Sequence, residues 1–253
     1  MAKVYIIGAG PGDPELITVK GQRLLKEADV IIYAGSLVNP AILECAKEGA
    51  EIYNSASMTL DEVLEKMTEE ASKDLMTVRL HTGDPSVYGA IQEQMDALKK
   101  RGIDFEVIPG VSSCFATAAA LKQEYTLPGI SQTVIITRNA GRTPVPERES
   151  LKSLAAHGAT MCIFLSITML DDVVKELISG GYKQDTPIAI VQRASWPDQK
   201  IIRATLETIC DEIKGKGIDR QAMIVVSPCL AADYELSRLY APEFSHMFRK
   251  SSK

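Results

Sequence analysis

The sequence is poor in the residues that build metal centres. Its 253 residues include three histidines, His81, His157 and His246, which lie far apart along the chain. The five cysteines are scattered and form no C-x-x-C pair, a pattern typical of a reducing compartment and of thiols that pack as small apolar side chains. We therefore predict no protein-bound metal.

A basic surface and a long apolar run are also missing. The net charge of -5 argues against a nucleic-acid partner, because phosphate neutralisation needs clustered Lys and Arg. No run approaches the roughly 18 apolar residues that a membrane-spanning helix needs. The first residues lead into a predicted strand without the charged and apolar regions of a signal peptide. We expect a cytoplasmic protein with no nucleic-acid and no membrane partner.

The composition is otherwise that of a globular protein, with 45% apolar and 24% charged residues and a length that suits one or two domains. In the first half, predicted strands alternate with predicted helices, which favours a mostly parallel sheet. In the second half, the apolar runs 187–192 and 200–203 flank a turn-rich segment, which predicts a hairpin and a mixed sheet. We predict two α/β domains, residues 1–122 and 123–253.

Several elements carry local signals. Thr59 and Glu62 have capping-box spacing, which predicts a helix that runs to about Ser72. A second helical pattern runs from about Gly89 to Arg101 and ends in cations followed by a glycine. Further helices are predicted over about 147–157 and 208–214, and a last strand over 222–226.

The stretch from His81 to Ala90 follows an apolar run, residues 75–80, that predicts a buried strand. Gly83 permits a turn that a side chain would hinder, and Pro85 moves Asp84 out of the helical region. In open α/β sheets, ligands bind at the carboxyl ends of strands. The stretch therefore predicts a ligand site, and the alternative is that Asp84 only caps the next helix.

A glycine-rich loop, residues 8–14, follows the first predicted strand. A dinucleotide-binding G-x-G-x-x-G/A motif would place a small residue where this loop has Asp13, and Pro14 follows. The carboxylate would repel a pyrophosphate, and no acid follows the second strand to hold a ribose. The loop therefore argues against NAD and favours a neutral or cationic ligand; a plain turn is the alternative.

Three motifs, each after a predicted strand, together resemble the tetrapyrrole methyltransferase family. They are residues 8–14, 82–89 and 109–113. The likeness continues through residues 132–138, 141–146, 164–166, 194–198 and 221–224, so that it spans residues 3 to about 230. Each motif alone is weak, but the ordered set is specific.

The resemblance implies a fold of two α/β domains with S-adenosylmethionine in the cleft between them, usually within a homodimer. The first domain would have a mostly parallel sheet and the second a mixed sheet. By motif match, the residues that contact the cofactor would be Pro11, Thr82, Gly83, Asp84, Val87, Tyr88, Ser112, Ser113, Leu165, Ala194, Ala222 and Met223.

The implied reaction is methyl transfer to a tetrapyrrole. Residues 33–38, 81–89 and the segment around Trp196 are most similar to the branch that methylates C11 of precorrin-4 or cobalt-precorrin-4 during corrin ring (cobalamin) synthesis. The alternatives are methylation of C17 or C20, a methyltransferase acting on RNA or on a translation factor, and a non-catalytic nucleotide-binding module. The negative net charge counts against RNA.

The chemistry suits these residue types. The acceptor is an electron-rich ring carbon, so alignment with the donor matters more than a strong base, and we name no catalytic residue. The substrate carries many carboxylates, which call for Arg and amide donors. We predict His81, Arg138 and Arg142 as substrate contacts. Packed or solvated side chains are the alternative, and Trp196 is expected to form an aromatic wall or to stack on Pro197.

Overall fold

The computed structural model describes residues 3–231, 235–237, 241–245 and 247–251. The chain divides into two compact units. The first is Met1–Ala120 with Arg193–Gln199, and the second is Leu121–Gln192 with Lys200–Lys253. Among the described residues, no helix combines the length and the apolar character needed to cross a membrane.

The first unit is built on a five-stranded parallel sheet, which confirms the prediction from alternating strands and helices. Its strands are β1 (Val4–Gly8), β2 (Val30–Tyr33), β3 (Glu51–Asn54), β4 (Thr77–His81) and β5 (Phe105–Ile108). Their order is β3-β2-β4-β1-β5, and every pairing is parallel. The central strands are apolar because helices cover both faces of the sheet.

Four helices belong to this half of the chain: α1 (Val19–Glu27), α2 (Leu60–Ser72), α3 (Gln92–Lys100) and α4 (Ser113–Leu121). Leu24 and Leu25 of α1 pack with Leu80 on one face of the sheet. Met67 of α2 and Leu98 of α3 pack on the opposite face. The predicted capping box of α2 is present, with the Thr59 N–H donating to Glu62 Oε2 at 2.6 Å and the Glu62 N–H donating to Thr59 Oγ1 at 3.3 Å.

The helix predicted from about Gly89 begins three residues later, at Gln92. Tyr88 and Ala90 have φ angles of 56° and 50°, in the left-handed region that a right-handed helix excludes. The segment between β4 and α3 is therefore an irregular loop.

The second unit contains a five-stranded mixed sheet of order β6-β7-β10-β8-β9. Its strands are β6 (Val134–Arg138), β7 (Thr160–Phe164), β8 (Pro187–Gln192), β9 (Lys200–Thr205) and β10 (Ala222–Val226). Only the β6–β7 pair is parallel, and β8 and β9 form the predicted hairpin. The strand predicted over 222–226 is confirmed at both ends. Val173 and Leu177 pack against the sheet residues Met161, Ile163 and Ile190.

The helices of this unit are α5 (Leu151–Ala155), α6 (Leu170–Ser179) and α7 (Ile209–Glu212). The helices predicted over 147–157 and 208–214 were too long. Ser150 has extended backbone angles, and its side chain accepts a hydrogen bond from the Ser153 N–H, so α5 starts only after it. A short 3₁₀ turn, Glu147–Glu149, takes the place of the first predicted turn.

Candidate functional site

The loops after β1 and β4 leave their sheet in opposite directions. The two strands are hydrogen-bonded neighbours. Helix α1, which follows β1, covers one face, whereas α3, which follows β4, covers the other. Such a switch point opens a crevice at the carboxyl edge of a parallel sheet and is the usual ligand position in this architecture. The motif loops 8–14 and 82–89 border this crevice.

The two loops are tied to each other through their backbones. The Gly83 N–H donates to the Gly10 carbonyl at 2.8 Å, and the Gly10 N–H donates to the Gly83 carbonyl at 3.3 Å. The Ala9 N–H donates to the His81 carbonyl at 2.7 Å. The two loops are therefore joined through main chain at the carboxyl edge of the sheet.

Asp84 links these two loops to the third motif loop, residues 109–113, which follows β5. Its Oδ2 accepts the Gly110 N–H at 2.9 Å, and its Oδ1 accepts the Ser86 N–H at 2.8 Å. A Cβ on Gly8 would lie 2.5 Å from the Gly83 carbonyl oxygen and 2.7 Å from Gly110 Cα, so the loops touch where only glycine fits. The alternative that Asp84 caps the next helix is wrong, because α3 begins at Gln92.

The structure brings together the cofactor contacts predicted for the first unit. Pro11, Gly83 and Ser112 are buried in the loops, whereas Tyr88 has an exposed fraction of 44%. The remaining loop positions, Thr82, Asp84, Val87 and Ser113, are half-buried. Ala194 is buried in the 193–199 segment, which belongs to the same unit. The sequence signal that groups these residues, a motif after each strand, thus corresponds to one edge of one sheet.

His81 lies deeper than a substrate contact would require. Its side chain is 6% exposed, and its Nε2 has no hydrogen-bond partner among the described residues. Burial, reinforced by the positive charge of Arg79 and opposed by Gln94, lowers the pKa of His81 to about 3. The imidazole is therefore neutral at physiological pH, and its substrate role stays a prediction.

Trp196 lies against the glycine loop, an arrangement that neither sequence alternative described. Its Nε1–H donates to the Pro11 carbonyl at 3.0 Å. A Cβ on Gly12 would overlap the indole ring. The sequence distance of 184 residues between Gly12 and Trp196 hides this contact, and no local pattern could have revealed it.

The residues predicted in the second half share one edge of the mixed sheet. Arg138 ends β6, Leu165 follows β7, and Ala222 begins β10, which runs antiparallel to β7. The register pairs Arg138 with Phe164 and Ala222 with Gln192. Leu165 is 64% exposed at this edge, whereas Met223 is 4% exposed within β10.

The two predicted arginines differ in their surroundings. The Arg138 guanidinium donates to the carbonyls of Asn139, Thr143 and Pro144 at 3.3, 3.1 and 2.7 Å. Arg138 therefore orders the loop that carries Arg142. Arg142 itself is exposed, and among the described residues it has no recorded hydrogen bond or ion pair. Contact of either arginine with substrate stays a prediction.

Backbone strain coincides with the predicted positions. Tyr88 and Leu165 have left-handed φ angles of 56° and 53°. Positive values also occur close to predicted contacts, at Ala90, Arg193, Ser195 and Gln221, and away from them at Asp74 and Lys122. Such conformations cost on the order of 1–3 kcal/mol each and concentrate at functional sites. This strain could not be predicted from the residue types, because none of these positions is glycine or asparagine.

Among the described residues, no group of three or more His, Cys, Asp or Glu side chains could hold a metal ion. The polar groups of the three loops are backbone groups, hydroxyls and the carboxylates of Asp13 and Asp84.

A parallel sheet with three glycine-containing loops at its carboxyl edge, followed in the chain by a mixed sheet, is the architecture of a two-unit α/β methyltransferase. The chain belongs to the tetrapyrrole (corrin/porphyrin) methylase family, whose model matches residues 3–210. The family and the fold class predicted from the motifs are thereby confirmed.

Relatives and solved structures are similar over nearly the whole chain. A cobalt-precorrin-4 C(11)-methyltransferase of Methanocaldococcus jannaschii is 58% identical over 252 residues, covering 99% of this chain and 97% of the relative. The X-ray structure of a cobalt-precorrin-4 methyltransferase, a cobalamin biosynthetic enzyme, has 50% identity and a TM-score of 0.88, covering 91% of this chain and 96% of the other. A uroporphyrin-III C-methyltransferase from Thermus thermophilus, complexed with S-adenosylhomocysteine, has 30% identity and a TM-score of 0.75, covering 90% and 93%.

Proposed function

We propose that this methyltransferase transfers the methyl group of S-adenosylmethionine to C11 of cobalt-precorrin-4, or of metal-free precorrin-4, in corrin ring synthesis. The observation that carries the ring position is the 58% identity, over nearly the full length, to a cobalt-precorrin-4 C(11)-methyltransferase. Among the solved structures, a cobalt-precorrin-4 methyltransferase also has the higher TM-score of the two described above. In the cobalt form, the metal ion is part of the substrate.

The crevice fits the proposed methyl donor. The three loops, residues 8–14, 82–89 and 109–113, contain no Lys or Arg. A pyrophosphate is usually met by cations beside a helix N-terminus, whereas a sulfonium is itself a cation. The Gly110 N–H, which could have met an anion, is already occupied by Asp84. The Asp84 carboxylate and nearby carbonyls therefore suit a positively charged ligand.

The proposed cofactor contacts are those predicted from the motifs. Those in the first unit are Pro11, Thr82, Gly83, Asp84, Val87, Tyr88, Ser112, Ser113 and Ala194. Those in the second unit are Leu165, Ala222 and Met223. In the first unit the ligand can approach the main chain closely, because the loops there are rich in small residues.

The reaction needs little acid–base chemistry from the protein. The bond from sulfur to the methyl carbon breaks as the new carbon–carbon bond at C11 forms, and S-adenosylhomocysteine leaves with the electron pair. The acceptor carbon is already nucleophilic, so the protein contributes mainly by holding both reactants in line. Such alignment can supply about 7–11 kcal/mol of a barrier.

Arg142 is the arginine best suited to a substrate carboxylate. Its guanidinium is exposed, whereas the guanidinium of Arg138 is engaged by three carbonyls of the same loop. An Arg paired with a carboxylate forms short, charge-assisted hydrogen bonds. In this proposal Arg138 shapes the loop, and Arg142 reaches the substrate.

The test measures S-adenosylhomocysteine formed from S-adenosylmethionine and cobalt-precorrin-4 by the wild type and two variants. We expect turnover by the wild type, and a KM for the tetrapyrrole raised about tenfold in Arg142→Ala, because one charge-assisted hydrogen bond is worth about 1.5–3 kcal/mol. The dissociation constant of S-adenosylhomocysteine should not change. Arg148→Ala, at an exposed position six residues away, is the matched control. Absence of turnover with both forms of precorrin-4 would refute the proposal.

The homodimer implied by the resemblance and the cytoplasmic location expected from the composition stay predictions. The proposed dimer can be checked by measuring the mass of the protein in solution by light scattering.

A further inference from the structure

The tip of the β8–β9 hairpin, residues 193–199, holds the glycine loop in two places. The Trp196 Nε1–H donates to the Pro11 carbonyl at 3.0 Å, and the Asp13 N–H donates to Ser195 Oγ at 3.0 Å. Between these two hydrogen bonds, the indole occupies the space that a side chain on Gly12 would fill. In addition, Asn39 Nδ2 donates to the Gly12 carbonyl at 2.8 Å. The backbone of residues 11–13 therefore has little freedom left.

The hairpin tip is itself internally braced. The Arg193 guanidinium lies 3.9 Å from the centre of the indole ring and pairs with Asp198. The Ser195 N–H donates to Gln199 Oε1 at 2.8 Å. Arg193 and Ser195 both have left-handed φ angles, of 50° and 71°. Left-handed residues are common in hairpin connections, so these angles belong to the turn that presents Ser195 and Trp196.

We propose that Trp196 is a positioning residue for the methyl donor: its indole fixes the glycine loop so that Pro11 is in place before the donor binds. The inference rests on the proposed function, because it assumes that Pro11 contacts S-adenosylmethionine. A loop with glycines at positions 8, 10 and 12 samples many conformations when it is free. Restricting it in advance lowers the entropy that binding must overcome, which raises affinity without any new contact to the ligand.

The structure also limits what Trp196 does. Its effect passes through Pro11 and Gly12, so it should alter binding of the donor and leave binding of the tetrapyrrole unchanged. A tryptophan that merely stabilised the fold would alter both to the same degree. The two roles can therefore be separated by measuring each ligand.

The test compares Trp196→Phe with the wild type by calorimetry, using S-adenosylhomocysteine as the probe and the full chain. Phenylalanine keeps an aromatic ring beside Gly12 but removes the hydrogen-bond donor. We expect the dissociation constant to rise about five- to tenfold, as loss of one partly buried hydrogen bond implies, with the KM for the tetrapyrrole within about twofold of wild type. Ser195→Ala removes the second hydrogen bond to the glycine loop, the one that Ser195 Oγ accepts from the Asp13 N–H, and should also weaken S-adenosylhomocysteine binding.

Tyr182→Phe is the matched control. It also removes a hydrogen bond from an aromatic side chain to a backbone carbonyl, here from the Tyr182 hydroxyl to the buried Ala159 carbonyl in the second unit. It should lower the melting temperature without changing S-adenosylhomocysteine affinity. Wild-type affinity in Trp196→Phe, or an equal loss in Tyr182→Phe, would overturn the inference. Absence of binding by the wild type would instead refute the proposed function, and this inference with it.

Discussion

The side chains of Arg79 and His81 lie on the same buried face of β4, because alternate residues of a strand share a face. Arg79 donates to the Ile32 carbonyl at 3.1 Å and to Ser55 Oγ at 3.0 Å, and it forms no ion pair with a described residue. Burial lowers the pKa of Arg79 to about 10, so its guanidinium stays charged at neutral pH. That charge and burial together keep the neighbouring imidazole neutral.

This neutrality predicts an acid-sensitive fold. His81 has a pKa of about 3 when folded and about 6.5 when unfolded, so the unfolded chain binds the extra proton between these values. The free energy of unfolding should therefore fall as the pH drops from about 6.5 towards 3. In His81→Gln this contribution is absent, and the fall should be shallower. Urea unfolding at a series of pH values measures the slope for each protein.

His157→Gln is the matched control for that series, since it removes one imidazole from an exposed position. The slopes are compared rather than the absolute stabilities, because His81→Gln also changes packing beside β4. Identical slopes in the wild type and His81→Gln would contradict the assignment of a buried, neutral imidazole.

The three loops after β1, β4 and β5 act together because their backbones touch. A methyl group added at Gly110 would clash with the Gly83 carbonyl and lie 2.8 Å from Gly8 Cα. Gly110→Ala should therefore push the loops apart and lower the free energy of unfolding by about 1–3 kcal/mol, as overpacking does. It should also weaken S-adenosylhomocysteine binding by more than about tenfold, measured by calorimetry.

Gly141→Ala provides the control for Gly110→Ala. Its new methyl would meet only the flexible Met169 side chain, at 3.1 Å from the sulfur, which can move aside. If Gly110→Ala bound S-adenosylhomocysteine as well as Gly141→Ala does, the three loops would not form one ligand site.

Elements with strong local signals were predictable from the sequence. The capping box of α2 and the apolar strand β10 depend on neighbouring residues, and both were confirmed. The predicted start of α3 was wrong because the observed start depends on the left-handed residues Tyr88 and Ala90, whose residue types do not indicate such angles. The predicted start of α5 at about residue 147 was wrong because Ser150 serves as the N-cap of this helix.

For the whole molecule, the order of motifs along the chain carried more information than any single motif. Each motif follows a strand, and adjacent parallel strands end at a common edge, so the loops after β4, β1 and β5 had to meet. The same logic places Arg138 and Leu165 at one edge of the second sheet, because β6 and β7 are parallel. Ala222 lies at that edge because β10 runs antiparallel to β7 and begins there, a pairing that the sequence did not indicate. Apart from that pairing, this part of the candidate site could be predicted.

Contacts between distant segments could not be predicted in this way. Trp196 meets Gly12 and Asp84 meets Gly110 because of tertiary folding, and the local sequence of neither residue specifies its partner. The engaged guanidinium of Arg138 and the burial of His81 likewise depend on three-dimensional surroundings. These are the features that separate residues able to reach a ligand from those that hold the site in shape.

The position of the transferred methyl group tests the account most directly. Cobalt-precorrin-4 is incubated with the protein and S-adenosylmethionine carrying a ¹³C-labelled methyl group, and the product is analysed by NMR. We predict a single labelled methyl group, bonded to C11 of the ring. A label at C17, C20 or any other position, or no labelled product from either cobalt-precorrin-4 or metal-free precorrin-4, would contradict the account.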